Sequence, residues 1–133
     1  MGLSVDSSVL IDVLEGRPDT LASLEALESD GAIPILSTVV VFEVLSGVEL
    51  SRSRAERSRV EEVLSGIPVE DFTMLAARRS AELRADLHRM GRIPGTADVM
   101  IAGHALAEGH TLVTKDRNLA AAARSAGARV ELI

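Results

Sequence analysis

Four acidic residues of this 133-residue chain stand where they could do chemistry together: Asp6, Glu43, Asp98 and Asp116. Asp6 closes the run Leu3-Ser4-Val5, and Asp116 follows Leu112-Val113-Thr114-Lys115. Asp98 falls in the first turn of a helical segment, and Glu43 is embedded between Val39-Val40-Val41-Phe42 and Val44-Leu45. Each has an ordinary use when taken alone. Asp6 and Asp116 suit helix caps, and Asp98 complements a helix dipole for about 0.3 to 1 kcal/mol. Glu43 needs a partner, because a buried unpaired carboxylate costs several kcal/mol; an arginine would serve, and so would a metal or a shared acidic site. Gathered in one place, the four carboxylates repel one another and hold protons to higher pH unless a cation sits among them. A chain with no cysteine and only three histidines offers that cation oxygen ligands, which favours a hard ion, Mg²⁺, with Mn²⁺ as its substitute. Such an ion activates water toward a bound phosphodiester, so the chemistry is that of a nuclease.

The acids can meet only if the elements carrying them bring them to one edge. Short β-branched runs at Leu3–Val5, Ile33–Leu36, Ile67–Val69, Thr111–Thr114 and Arg129–Leu132 predict strands. Apolar spacing and capping residues predict helices over Ser8–Glu15, from Pro18 to a stop at Gly31, and from a Ser37 or Thr38 cap to about Leu50. Further helices are expected over Ser53–Leu64, Thr73–Met90, Ala97–Glu108 behind a Thr96 cap, and Leu119–Ala126. Strands joined by helical crossovers pair in parallel. The expected architecture is therefore α/β, one domain over residues 1–133, with a twisted parallel sheet of about five short strands and helices on both faces. Ligands of such sheets bind beyond the carboxyl ends of the strands, where Asp6 and Asp116 fall.

Composition narrows the function classes. At 47% hydrophobic residues the chain can bury a core without staples. Fourteen Lys and Arg against twenty Asp and Glu leave a net charge of −6, which argues against a protein that coats nucleic acid with positive charge. Two Phe and no Trp or Tyr leave base-stacking platforms almost nothing to stack on. The absence of cysteine excludes disulfide scaffolds, zinc ribbons and thiol catalysis, and suits a reducing cytoplasm. The first residues reach an acid by position 6, leaving no room for a signal peptide there. The longest apolar stretch, Val39 to Leu45, contains Glu43 and is far short of a span of about 20 residues, so a cytoplasmic protein without a membrane segment is expected.

Four segments, in order and separation, carry a resemblance. They are Val5-Asp6-Ser7-Ser8-Val9-Leu10-Ile11-Asp12, then Glu43 within Val41-Phe42-Glu43-Val44-Leu45-Ser46-Gly47, then Ala97-Asp98-Val99-Met100-Ile101-Ala102 with Ala105, and Leu112-Val113-Thr114-Lys115-Asp116. Together they resemble the PIN-domain ribonucleases, and specifically the VapC-type toxins of toxin-antitoxin pairs, over nearly the whole chain. The resemblance implies a Mg²⁺ site built from Asp6, Glu43, Asp98 and Asp116, with Asp6 and Asp98 as direct ligands and Glu43 and Asp116 acting partly through water. Ser8 and Thr114 match family positions that would support those carboxylates; beside the resemblance, Asn118 is a further candidate support, and Lys115 and Arg117, flanking Asp116, could steer a phosphate. The family commonly opens with Asp-Thr-Asn where this chain has Asp6-Ser7-Ser8, which shortens the polar groups but keeps a hydroxyl able to orient a carboxylate. It further implies cleavage of RNA, often at one tRNA or rRNA site, inhibition by a VapB-type antitoxin, and a homodimer. Val40, Val44, Val48 and Leu64 are the expected apolar surface for antitoxin or dimer seam.

The remaining polar residues are weaker signals. Nine of the fourteen basic residues lie between Arg52 and Arg92, giving that stretch a charge of +2 against −8 for the remainder. RNA could approach there; a solvated helix laced with pairs such as Arg52 with Glu56 and Arg57 with Glu61 is the plainer reading. Lys115 and Arg117 could equally just offset Asp116. His88, His104 and His110 lack metal-site spacing, and Asp12 is expected on the solvent face. Gly91 to Gly95 does not make a phosphate loop. A phosphoacceptor receiver would need an acidic pair where Asp6-Ser7 stands, and a haloacid-dehalogenase-type phosphatase would need an acid at Ser8. A non-catalytic PIN-like module that binds RNA or a protein partner keeps the same acids and remains the alternative.

Overall fold

The computed structural model describes all 133 residues. The chain runs β1 (Gly2–Val5), α1 (Ser7–Leu14), α2 (Pro18–Ser29), β2 (Ile33–Ser37), α3 (Thr38–Ser51), α4 (Arg54–Gly66), β3 (Val69–Glu70), α5 (Met74–Arg89), α6 (Thr96–Glu108), β4 (Thr111–Thr114), α7 (Arg117–Ser125) and β5 (Val130–Leu132). The five strands form one parallel sheet in the order β3-β2-β1-β4-β5. The α/β expectation holds. Every residue of β4 is buried, as a central parallel strand covered on both faces must be.

Leu3, Val5, Leu36, Leu112 and Val113 form the sheet's part of the core, and Val9, Leu10, Val40, Val48, Leu83 and Ile101 pack from the helices. Val40, Val44 and Val48 belong to this core rather than to an antitoxin or dimer surface, because the α3 face that carries them packs inward. The exposed apolar residues of α3 are Phe42 and Leu50. Leu64 is half-buried against the core.

Local boundaries shift where capping decides them. Asp6 caps α1, so that helix starts at Ser7 rather than Ser8, and Asp116 starts α7 at Arg117 rather than Leu119. Gly95, not Thr96, is the cap of α6, which ends at Gly109 in the left-handed conformation (φ 68°). The third strand pairs through Val69 and Glu70, two residues later than Ile67, because its partners are Leu36 and Ser37 at the end of β2. Arg57 pairs with Glu49 of α3 instead of Glu61. Helices α5 and α6 lie unusually close: a Cβ on Gly103 would fall 1.9 Å from Ser80 Oγ. That close approach packs the middle of α5 directly against α6, the helix whose first turn carries Asp98.

Candidate active site

The strand order reverses at β1, with β2 on one side and β4 on the other, and the four acids gather beyond the carboxyl ends there. Asp6 continues the ladder past the end of β1, its N–H donating to Val113 O at 3.0 Å. Its buried carboxylate is held at both oxygens: Ser7 N–H donates to Oδ1 (2.7 Å) and the Thr114 hydroxyl to Oδ2 (2.8 Å). The same Thr114 hydroxyl accepts from Asp116 N–H at 3.1 Å, so one fully buried residue ties two of the acids together. Asp116 caps α7 by accepting from Asn118 N–H (2.9 Å) and Leu119 N–H (3.1 Å), both at Oδ1. Glu43, half-buried on α3, accepts a hydrogen bond from the Ser7 hydroxyl. Asp98 sits in the first turn of α6, and a Cβ on Gly95 would come within 3.0 Å of its Oδ2.

The electrostatics bind the four into one group. The Asp98 carboxyl is pushed up to about 6, first by burial and then by Asp6, Glu43 and Asp116. Burial also raises Asp6, against the bonds from Thr114 and Ser7, with Glu43 and Asp116 adding repulsion. No Lys, Arg or His lies within ion-pair distance of any of the four. Glu43 therefore has no arginine partner. The donor set suits a hard cation: oxygen ligands only, buried in part, and short of compensating charge. As the side chains lie, no three His, Cys, Asp or Glu residues stand close enough together to hold an ion by themselves, so a cation here would take one or two carboxylates and complete its shell with water.

Three expectations change. Ser8 is exposed and makes no hydrogen bond to the acids; Ser7 supplies the hydroxyl instead, since a helix capped by Asp6 places its first residue against Glu43. The position of Ser7 next to a capping Asp6 was the available signal. Lys115 is not free beside Asp116 but forms an ion pair with Asp12. Asp12 is buried rather than solvent-facing, accepting from Thr20 Oγ1 at 2.7 Å and facing Arg17 Nε at 3.4 Å. Asn118 contributes its backbone N–H, and Arg117 is exposed at the start of α7 with no ion-pair partner. Away from the acids, Glu70 Oε1 lies 2.7 Å from His110 Nε2 and 3.2 Å from the buried His104 Nε2. That arrangement, invisible in the spacing, links the edge strand β3 to α6 and to the residue before β4.

No helix is long and apolar enough to cross a membrane. The PIN domain family model matches residues 3–125. The chain is 32% identical over 114 residues to ribonuclease VapC2 of Rickettsia felis, covering 84% of each chain. It is 31% identical over 129 residues to the tRNA(fMet)-specific endonuclease VapC of Salmonella typhimurium, covering 96% of this chain and 94% of that one. Its fold superposes on the VapBC2 complex of R. felis bound to a promoter DNA fragment with a TM-score of 0.82 at 28% identity, over 99% of this chain and 98% of that chain. These likenesses and the acid-lined switch point of the sheet converge, and the chain belongs to the PIN-domain family, among its VapC-type ribonucleases.

Proposed function

We propose that this protein is a Mg²⁺-dependent endoribonuclease toxin that hydrolyses a phosphodiester of a particular tRNA or rRNA, and that Asp6, Glu43, Asp98 and Asp116 carry the reaction. The observation that carries the reading is the group of four carboxylates at the sheet's switch point, two of them with raised pKa and none with a cationic partner. Asp6 and Asp98 would hold the cation directly, and Glu43 and Asp116 would act in part through water; Mn²⁺ would substitute. A divalent cation there supplies charge for the phosphate oxygens and lowers the pKa of the attacking water.

The chain's own residues do the rest. Thr114 and the Ser7 N–H fix the plane of the Asp6 carboxylate, so it meets a ligand without reorganising. The Ser7 hydroxyl holds Glu43 in the same way, leaving its second oxygen to orient water. Asp116 spends Oδ1 on the α7 cap and keeps Oδ2 available. Asp98 accepts no hydrogen bond, and its carboxyl, raised to about 6 by burial and by Asp6, Glu43 and Asp116, is left for a cation to neutralise.

Relatives assembled as VapBC complexes support a VapB-type antitoxin partner. A groove beside Glu43, lined at its surface by Ile11 and Leu14 with Glu15 and Glu56, suits an apolar segment carrying a basic residue. Exposed Phe42 and Leu50 favour a homodimer seam, and a cysteine-free chain suits the cytoplasm.

The test incubates purified protein and its Asp98→Asn variant with structured RNAs, including total tRNA, in Mg²⁺ or EDTA, and maps the ends. Discrete cuts leaving 5′-phosphates, lost in EDTA and in the variant, are expected. RNA that is bound but never cut would replace this reading with the non-catalytic binding module.

A further inference from the structure

The basic stretch between Arg52 and Arg92 divides in three dimensions. Arg57, Arg79 and Arg89 are committed to Glu49, Glu82 and Asp86, whereas Arg84 and Arg92 have no carboxylate within ion-pair distance. Arg84, His88 and Arg89 edge a groove of about 680 Å³ between α5 and α6, with Phe72, Val99 and Met100 among its apolar lining. The groove ends at Thr96 and Val99, which bracket Asp98 on the first turns of α6. Beyond it Arg92 shares a second concavity with Gly95, Asp116 and Asn118, so cationic groups continue around the 91–95 loop to the other side of the acids.

From this arrangement we infer that the α5–α6 groove is the track for the RNA strand beside the scissile phosphate, holding one unpaired nucleotide with its base over the apolar lining and its phosphate at Arg84. The inference rests on the nuclease reading above. Its volume falls within the range of small-ligand sites. Charge selects the occupant: in a chain of net charge −6, this concavity has the unpaired Arg84 on its edge beside His88 and the Asp86-paired Arg89, and no acid in its lining, while the groove on the Glu43 side is lined by Glu15, Glu43 and Glu56 with Arg59 alone. A polyanion is admitted on one side and opposed on the other. Apolar lining beneath a cationic edge is what a single-stranded nucleotide needs, since its base seeks a dry face and its phosphate a guanidinium.

Binding and cleavage are measured separately. Anisotropy of a fluorescein-labelled single-stranded RNA of mixed sequence is read on the Asp98→Asn background in Mg²⁺, without and with Arg84→Glu, Arg92→Glu or Ala81→Glu, the last placing a charge on an exposed α5 position in the groove. Arg54→Glu, on α4, is the control. We expect Kd to rise at least about tenfold for the two groove variants, Arg84→Glu and Ala81→Glu, and to rise less for Arg92→Glu just beyond the groove, with a shallower salt dependence for the arginine variants and a change of less than about twofold for the control. In the cleaving protein the same changes should raise KM and leave kcat within about threefold. Groove variants that bind like the control, or an Asp98→Asn protein that does not bind RNA, overturn the inference, as does light scattering showing that the variants dissociate a dimer whose second copy fills the groove. Binding lost by the groove variants in a protein that never cuts RNA would keep the track and discard the nuclease.

Discussion

Asp6 and Asp12 lie on one short helix, as its cap and within its second turn, yet they live in opposite electrostatic settings. Asp12 is buried among partners. Hydrogen bonds from Lys115 and Thr20, with the charges of Lys115 and Arg17, hold its carboxyl below the usual range. Asp6 is buried among acids, and its carboxyl and that of Asp98 are held above that range. Burial alone therefore does not mark a functional acid. What separates scaffold from site is whether the fold supplies the counter-charge or leaves it to be brought in.

The comparison breaks most visibly in catalysis. Asp98→Asn should reduce RNA cleavage by about 100-fold or more, since it would remove a charge-bearing ligand of the proposed cation site, whereas Asp12→Asn, on the other side of the comparison, should leave kcat within about threefold. Single-turnover cleavage of the same RNA checks both.

Stability should respond in the reverse sense. Asp12→Ala strands Lys115 and Thr20 and should cost about 2 kcal/mol in urea unfolding, a figure reduced from that of a fully buried pair because Lys115 is partly exposed. Asp98→Asn should stabilise the metal-free protein at pH 7 by about 1 to 2 kcal/mol, a figure reduced for solvent screening of a partly exposed group, because it relieves a carboxylate penalised by burial and crowded by three others.

The pH dependence carries the sign. The folded carboxyl of Asp98 lies near 6 and its unfolded value near 3.8, so the folded state binds the extra proton between them. Its contribution to stability is complete below about pH 4 and is lost as pH rises through 6. Asp12 has the depressed value, so its contribution is present above the unfolded pKa and is lost as pH falls through the lower folded one. Metal-free wild type compared with Asp98→Asn should show a difference that grows from pH 4 to 7. Saturating Mg²⁺ should erase it and raise the melting temperature of wild type only; an equal Mg²⁺ response in the variant would remove Asp98 from the metal site.

The smallest effect tests the supports. Thr114→Val keeps the shape but leaves Asp6 Oδ2 and the Asp116 N–H without the hydroxyl between them. A loss of about tenfold in cleavage is expected, and Ser8→Ala, on an exposed residue without a bond to the acids, should be silent in the same assay.

Much of this was legible in the residues. Leu3–Val5, Ile33–Leu36 and Thr111–Thr114 are short apolar runs between helical segments, and that alternation alone dictates a parallel sheet with its ligand edge at the strand ends. The identities of the four acids followed from their places at that edge and from the resemblance they carry. Sequence position could not tell Ser7 from Ser8, because the difference is one step of about 100° around a helix whose starting angle is set by the Asp6 cap. It likewise misplaced Val40, Val44 and Val48, since an α3 that is apolar on several sides does not announce which side faces the sheet.

The sequence by itself determined the chemistry available: oxygen ligands without thiols, a negative chain with its cations gathered in one stretch, and an alternation of elements with one solution for the sheet. Only the tertiary structure decided which acid is compensated. Lys115 is adjacent to Asp116 in sequence and pairs with Asp12 in space, because α1 runs back beside the end of β4. Coulomb energy depends on separation and burial in three dimensions, and neither is written in the order of residues.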